Sequence, residues 1–210
     1  MAALNQWPLV ALLCAAALVR VILVLISLQG RYANNDYSGY YLAAYAMRHG
    51  LDPYRLDLTA LGRSLGLQIG YLIHAADTPS FLAMFEPLTL LSPRPAYWTW
   101  MGLNAMAFVA ALIMLLWRAD GMRRTTLWLL VALAVLYPPL TFNMGWGQSQ
   151  PLVLFLLALA MTALESRRDA LAGLALAAAA LLRAFPSAAP AKFPISNGLP
   201  AIYLAGVPPI

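Results

Sequence analysis

The chain has 210 residues, of which 62% are hydrophobic and only 10% are charged, and its formal net charge is +5. Long apolar blocks with so few charges are typical of a polytopic membrane protein and exclude a water-soluble globular domain. Cys14 is the only cysteine, which excludes an internal disulfide and a metal site held by cysteines.

The first apolar block predicts a transmembrane helix near residues 8–29. As a helix, the block from Pro8 to Leu28 would cover roughly 30 Å, about one hydrocarbon core. It lacks a small-residue cleavage site and is too long for the core of a signal peptide. Arg20 lies near its middle, where an unpaired charge costs on the order of 3 kcal/mol, so we expect it to face the bundle or a wet cavity. Its role is either structural pairing or binding of a donor phosphate.

A short amphipathic helix is predicted at the start of the long segment 31–95. Asn35 or Asp36 is a plausible cap and Gly50 a plausible end. The residues of one face recur at helical spacing: Tyr37, Tyr40, Tyr41, Ala44, Tyr45 and Arg48. We expect these tyrosines to lie in the lipid headgroup belt. An extended turn follows at residues 51–54, because a residue before proline disfavours the helical conformation.

A second, shorter apolar stretch lies at residues 81–91 and contains Glu86 followed by Pro87. As a helix it would reach only about 16 Å, which is too short to cross the membrane. We therefore expect it to dip into the membrane or to lie along its surface.

Four further apolar blocks predict more membrane spans, so the expected fold class is all-α, a transmembrane helix bundle over residues 1–186. Six prolines occur in the 25 residues from Pro186 to Ile210, and the tail 187–210 is predicted to be irregular. The four blocks lie near residues 96–117, 125–142, 146–164 and 170–185.

Arginine clusters predict the orientation in the membrane. The short loops 117–124 and 165–169 hold five arginines in 13 positions, which marks both loops as cytoplasmic. The N-terminus is then cytoplasmic and segment 31–95 lies outside a multi-pass protein of the inner or plasma membrane. The positive charge therefore reflects topology and contact with lipid headgroups, and no basic stripe indicates nucleic acid. His49 and His74 are isolated, so we expect neither a metal nor a cofactor.

The residues that follow the first span resemble glycosyltransferase family 87. Asp36 comes shortly after that span, tyrosines and alanines follow it, and residues 50–54 match a Gly-x-(Asn or Asp)-Pro-Tyr turn. The resemblance covers residues 8–186. Further pieces of the pattern occur in order: Asp77-Thr78-Pro79, Tyr137-Pro138-Pro139-Leu140, Gly147-Gln148 and Arg183-Ala184-Phe185-Pro186.

The chain also departs from the pattern of the family. Gln150 stands where the family often has Asn, Thr78-Pro79 replaces a more usual Tyr-Pro, and Arg183 stands where Lys is common. Members of the family continue with several more spans, whereas here the apolar block stops near Pro186. We therefore expect a C-terminally truncated member that inserts into membranes but transfers no sugar as residues 1–210 alone.

The resemblance implies a GT-C fold and an enzyme that moves a sugar, of hexosyl or mannosyl type, from a polyprenyl-phosphate donor to a lipid or glycan acceptor at the extracytoplasmic face. It implies Asp36 as general base of an inverting transfer, because a carboxylate can take the proton of a weakly nucleophilic hydroxyl. The structural alternative is that Asp36 only caps a helix. Weaker candidates for substrate contact are Arg20, Tyr40, Tyr41, Glu86, Gln148 and Arg183.

Two other classes of membrane protein, a non-catalytic protein and a transporter, are alternatives to the enzyme. An inactive remnant or membrane scaffold ranks second, and it would tolerate the loss of the Asp36 carboxylate. A transporter ranks third, because it predicts broken helices in two matching halves and the sequence has no such symmetry. No oligomeric state follows from the sequence.

Overall fold

The computed structural model describes residues 7–29, 31–118 and 121–182. All regular structure among these residues is helical, which confirms the predicted all-α class. The elements in chain order are α1 (Trp7–Leu28), α2 (Asp36–Arg48), α3 (Leu58–Ser64), α4 (Pro79–Phe85), a 3₁₀ helix (Glu86–Leu90), α5 (Pro93–Leu116), α6 (Arg124–Leu136), α7 (Pro138–Trp146), α8 (Gln150–Glu165) and α9 (Asp169–Leu181).

Two of the described helices, α1 and α5, are long and apolar enough to cross a membrane. The bent pair α6 and α7 counts as a third span if it crosses as one unit, while α8 and α9 are shorter apolar helices. The sequence predicted one continuous helix over 125–142. The structure instead breaks it at Tyr137 with a bend of 44°, because Pro138 forces the preceding residue into an extended conformation.

The apolar helices form two groups. Helices α6 and α7 pack on α1, whereas α8 packs on both α5 and α9. At one end of the bundle, Arg118 after α5 donates to Glu165 at the end of α8, with 2.6 Å between Nε and Oε2. The two arginine-rich loops therefore lie at the same end, and the segment that precedes α5 lies at the other.

Helix α2 lies at the centre of the core and not on the surface of the protein. Tyr37 and Tyr41, which were expected in the headgroup belt, are only 1% and 2% exposed. Helix α4 and the 3₁₀ helix cover α2, and the ring of Phe81 lies 4.9 Å from that of Tyr40. The stretch 81–91, predicted as a membrane dip or surface segment, is thus divided into two short helices that pack on α2.

Candidate functional site

The start of α2 presents Asp36 as a helical residue and not as the cap. The N-cap is Asn35, whose side-chain oxygen accepts from the backbone N–H of Ser38 at 3.4 Å. Asp36 occupies the first turn, where the positive end of the helix dipole stabilises a carboxylate. The capping role and the candidate catalytic role therefore belong to two adjacent residues.

The Asp36 carboxylate is held by Gln148, a residue 112 positions later in the chain. The Gln148 Nε2 donates to the Asp36 Oδ2 at 2.6 Å. Two residues singled out in the sequence are thus brought together, and both are partly buried.

Gln148 reaches Asp36 because the turn between α7 and α8 approaches α2 very closely. Gly147 ends α7 with a φ of +67°, a left-handed conformation that favours glycine. A Cβ at this position would lie 2.8 Å from the Cβ of Tyr37, too close for any larger residue without a shift. The glycine is therefore needed both for the turn and for the approach of Gln148.

The beginning of α5 aligns both halves of the site. On the α2 side, the Tyr37 hydroxyl donates to the Pro93 carbonyl at 2.6 Å, and the Tyr41 hydroxyl donates to the Leu91 carbonyl at 2.9 Å. On the other side, the Trp100 Nε1 donates to the Gly147 carbonyl at 2.7 Å. One helix end thus fixes where Asp36 meets Gln148.

The loop between α3 and α4 closes a further side of the site. The Tyr71 hydroxyl donates to the Asn35 carbonyl at 2.9 Å. Asn34 ties down the same loop, because its side chain donates to the Gln68 carbonyl and accepts from the Gly70 N–H. Burial raises the pKa of Tyr71, and the charge of Asp36 adds to that rise.

Asp77 is a second carboxylate in the electrostatic field of Asp36. Burial, and after it the charge of Asp36, raise the pKa of Asp77 to about 7. Its backbone is fixed, since its carbonyl accepts from the Tyr54 hydroxyl at 2.5 Å and the next residue, Thr78, caps α4. In the sequence, Asp77 was recognised only as part of the family pattern and not as a site residue. The sequence did offer one signal, since Asp77 directly precedes Thr78-Pro79, a pair that is typical of the start of a helix.

The pKa of Asp36 itself is raised by burial, and the hydrogen bond from Gln148 partly opposes that rise. A carboxylate with a raised pKa is a stronger base than an exposed one. The arrangement can therefore accept a proton at Asp36, while the amide of Gln148 fixes one carboxylate oxygen.

The other predicted site residues lie away from this pair or support it from behind. Arg20 lies in the middle of α1, faces a groove between α1 and its neighbouring helices, and donates a hydrogen bond to Thr141. Tyr40 packs among aromatic rings and Tyr41 is buried with its hydroxyl bonded, so both belong to the core around α2. Glu86 opens the 3₁₀ helix in a cleft that also contains Arg48, at the opposite end of α2 from Asp36. Arg183 lies outside the described residues.

An apolar cavity of about 640 Å³ lies beside the turn that carries Gln148. Its walls come from α5 and α8 on one side and from α6 and α7 on the other. Asn143 and Gln150 supply polar groups to its lining. The cavity is thus a largely hydrocarbon-like space that extends to Gln150, two residues beyond Gln148.

Comparison with known proteins identifies a family for this arrangement. The family model described as Glycosyltransferase family 87 matches residues 77–207, which is more than half of the chain. Asp77 and Gln148 fall within the match and Asp36 precedes it. No curated protein and no solved structure matches the chain. A match of this extent on a bundle of apolar helices shows that the chain belongs to glycosyltransferase family 87, a family of membrane glycosyltransferases.

Proposed function

We propose that the protein transfers a sugar of hexosyl or mannosyl type from a polyprenyl-phosphate donor to a lipid or glycan acceptor, with Asp36 as general base. The observation that carries the proposal is the bond between Gln148 and Asp36, which fixes a partly buried carboxylate at one end of the bundle. The proposal includes a GT-C arrangement of five spans over residues 1–186, followed by the tail 187–210.

The extracytoplasmic face is the proposed side of the reaction. The Asp36 site lies at the opposite end of α5 from the loops rich in arginine, which favour the cytoplasm. The N-terminus is then cytoplasmic and the protein lies in the inner or plasma membrane.

The proposed transfer accounts for the bond that forms, the bond that breaks, the proton and the leaving group. The acceptor hydroxyl attacks the anomeric carbon, its proton passes to Asp36, and the bond between that carbon and the phosphate oxygen breaks. The electron pair of the broken bond leaves with the polyprenyl phosphate, and the configuration inverts. Gln148 donates to Oδ2, so we assign Oδ1 to the acceptor proton.

The donor lipid needs an apolar space next to the site. The cavity of about 640 Å³ provides one, since Gln150 in its lining is two residues beyond Gln148. A prenyl chain in this cavity would place its phosphate near the end of the bundle where Asp36 lies.

Asp77 is proposed to hold its proton near neutral pH and to donate a hydrogen bond to a sugar hydroxyl or a phosphate oxygen. Its pKa of about 7 keeps a large fraction of the side chain uncharged at neutral pH. When Asp77 is neutral it does not repel an anionic donor, whereas an ionised Asp77 would add its repulsion to that of Asp36.

The test is an Asp36→Asn substitution in cells that naturally make the protein. The transfer assay uses membranes from these cells, so that any further polypeptide required for transfer is present. Because the amide cannot accept the proton, we expect transfer of a radiolabelled sugar from polyprenyl phosphate to endogenous acceptors to fall at least about 100-fold.

The matched control is Asp57→Asn, which also changes a carboxylate of the outer segment into an amide. Asp57 is exposed and caps α3, and asparagine caps about as well as aspartate. Transfer should remain normal in this control. Near-normal transfer by the Asp36→Asn protein at a normal membrane level would favour the scaffold alternative instead.

A further inference from the structure

A second apolar groove, of about 440 Å³, separates α1 from α5 on the side of α6 and α7. Among the described residues that line it, Arg20 is the only charged one, and all the others except Thr141 are apolar. Leu28 and Met144 line it at the end nearest the Asp36 site. The groove is thus a hydrocarbon-like surface with one fixed cation.

The guanidinium of Arg20 is only partly satisfied. Its Nη2 donates to the Thr141 hydroxyl at 2.7 Å, and that hydroxyl in turn donates to the Pro138 carbonyl. Its Nε is buried and has no hydrogen-bond partner among the described residues. A threonine is neutral, so the positive charge has no counter-ion from this contact, and such a charge in a membrane interior is costly.

No acidic residue lies within any of the five predicted spans. Five of the eight acidic residues lie in segment 31–95 and three lie in or beside the two arginine-rich loops. Those eight residues are Asp36, Asp52, Asp57, Asp77, Glu86, Asp120, Glu165 and Asp169. None of these spans therefore offers Arg20 a counter-ion at its own depth.

The depth of Arg20 favours a carboxylate on a helix over the headgroup of a lipid. Arg20 lies eight residues before Leu28 in α1, which places its Cα about 12 Å from the nearer helix end. Lipid phosphates lie in the headgroup region, outside the hydrocarbon core. The bond to Thr141 also prevents the side chain from extending toward the surface.

We propose that this groove docks a transmembrane helix from outside residues 1–210, and that the helix carries an Asp or Glu near its midpoint that pairs with Arg20. A second copy of the chain does not fit, because it would bring another Arg20 and no acid at that depth. This proposal does not depend on the sugar-transfer activity.

The experiment uses two dye-labelled transmembrane peptides of leucine and alanine, identical except for a central Glu or a central Gln. Each peptide is reconstituted with the whole protein in phosphatidylcholine vesicles at pH 8, and association is measured by Förster transfer. We expect the Glu peptide to bind at least about 10-fold more tightly than the Gln peptide, as a buried pair of opposite charges requires.

Variants at Arg20 separate the ion pair from general apolar association. Arg20→Gln should bind both peptides equally, while Arg20→Lys should keep a preference for Glu because it keeps the charge. Equal binding of the two peptides by the unaltered protein would overturn the proposal. A preference for Glu that Arg20→Gln retains would overturn it as well.

A lipid occupant gives a different result in the same assay. Replacing the vesicles with a mixture of phosphatidylcholine and phosphatidylglycerol should leave the preference for the Glu peptide unchanged. If phosphatidylglycerol abolishes the preference and copurifies with the protein only when Arg20 is present, the groove binds a lipid phosphate and the helix proposal is wrong.

Discussion

At the scale of single residues, Asp36 and Asp77 lie in the same electrostatic field but have different surroundings. Burial raises the pKa of Asp36, and the neutral donor Gln148 opposes that rise by stabilising the charged form. For Asp77, the two named influences, burial and the charge of Asp36, both favour the neutral form. Environment therefore divides the carboxylates into one suited to accept a proton and one suited to hold it.

Asp77 should make stability depend on pH. Its pKa rises from 3.8 to about 7 on folding, so between these values the folded protein holds a proton that the unfolded chain has lost. The free energy of unfolding then falls as pH rises through this window and stays lower above it. Asp77→Asn removes this loss of stability, so the melting temperature of the variant should exceed that of the unaltered protein by roughly 10 °C at pH 8 and match it near pH 4.

Tryptophan fluorescence in detergent micelles can follow this melting. Asp57→Asn is the control, since its carboxylate is exposed, and it should leave the melting temperature unchanged at both pH values. A difference between Asp77→Asn and the unaltered protein that is constant with pH would contradict the role assigned to burial.

Gln148 should set the pH range in which Asp36 works as a base. Gln148→Met keeps the size of the side chain but removes the donor that lowers the pKa of Asp36. The pKa of Asp36 should rise further, which moves the acidic limb of the pH profile of sugar transfer to higher pH. At the acidic end, transfer should fall roughly 10-fold, as expected for a lost hydrogen bond to a charged group.

Gln68→Met is the matched control for this substitution. Gln68 contributes its backbone carbonyl to Asn34, and the substitution retains that group. Its pH profile should equal that of the unaltered protein. If the Gln148→Met profile also stays in place, the contact at 2.6 Å does not tune the base.

Both members of the central pair were predictable from the sequence, but their contact was not. Asp36 and Gln148 are named by the family pattern, whereas the 112 positions between them give no local signal of proximity. Asp77 was missed because its raised pKa arises from burial and from the nearby charge of Asp36, and neither can be predicted from the residues next to it in the sequence.

At the scale of elements, the tyrosine pattern predicted the extent of α2 but not its surroundings. A tyrosine has an apolar ring and a polar hydroxyl, which suit both a membrane interface and a core that offers acceptors. The carbonyls of Leu91 and Pro93 supply those acceptors, and the pattern cannot reveal them. The break at Tyr137 was predictable, since Pro138-Pro139 inside an apolar block already marks a probable helix boundary.

The turn between α7 and α8 should be sensitive to any side chain at Gly147. Gly147→Ala requires a left-handed conformation and a Cβ 2.8 Å from that of Tyr37. We expect it to destabilise the protein by about 1–3 kcal/mol and to reduce sugar transfer by displacing Gln148. Thermal melting and the membrane transfer assay measure the two effects.

Gly102→Ala is the matched control because it places the same Cβ inside α5 with nothing within 4 Å. Alanine is the better helix former, so this variant should be neutral or slightly more stable. Equal melting temperatures for the Gly102→Ala and Gly147→Ala proteins would show that the turn tolerates a side chain.

At the scale of the whole molecule, the order of apolar blocks predicted the sequence of helices but not their grouping. Helices α6 and α7 pack on α1, and α8 packs on α5 and α9. Apolar helices in a membrane associate through shape and small residues rather than through a hydrophobic pattern, so periodicity carries little information about partners. The sequence predicted that the two arginine-rich loops lie at the same end of the bundle. In the structure, the bond between Arg118 and Glu165 joins them at one end.

Topology can be measured with single cysteines in a Cys14→Ser background. A membrane-impermeant thiol reagent applied to intact cells should label Ser64→Cys in the outer segment and should miss Met122→Cys in the arginine-rich loop. Both positions are exposed, so accessibility within the protein does not limit labelling. Permeabilised cells, where both cysteines should react, provide the control. The reverse pattern in intact cells would move Asp36 to the cytoplasmic face.

The attachment of both halves of the site to the start of α5 has a consequence for bilayers of different thickness. A thinner or thicker bilayer is accommodated by helix tilt, which changes the relative heights of helix ends. Here the elements that carry Asp36 and Gln148 are bonded to Pro93 and Trp100, within about the first two turns of α5, and to Leu91 just before that helix. We therefore expect Asp36 and Gln148 to move together when α5 tilts, so that their contact depends little on the thickness of the surrounding bilayer.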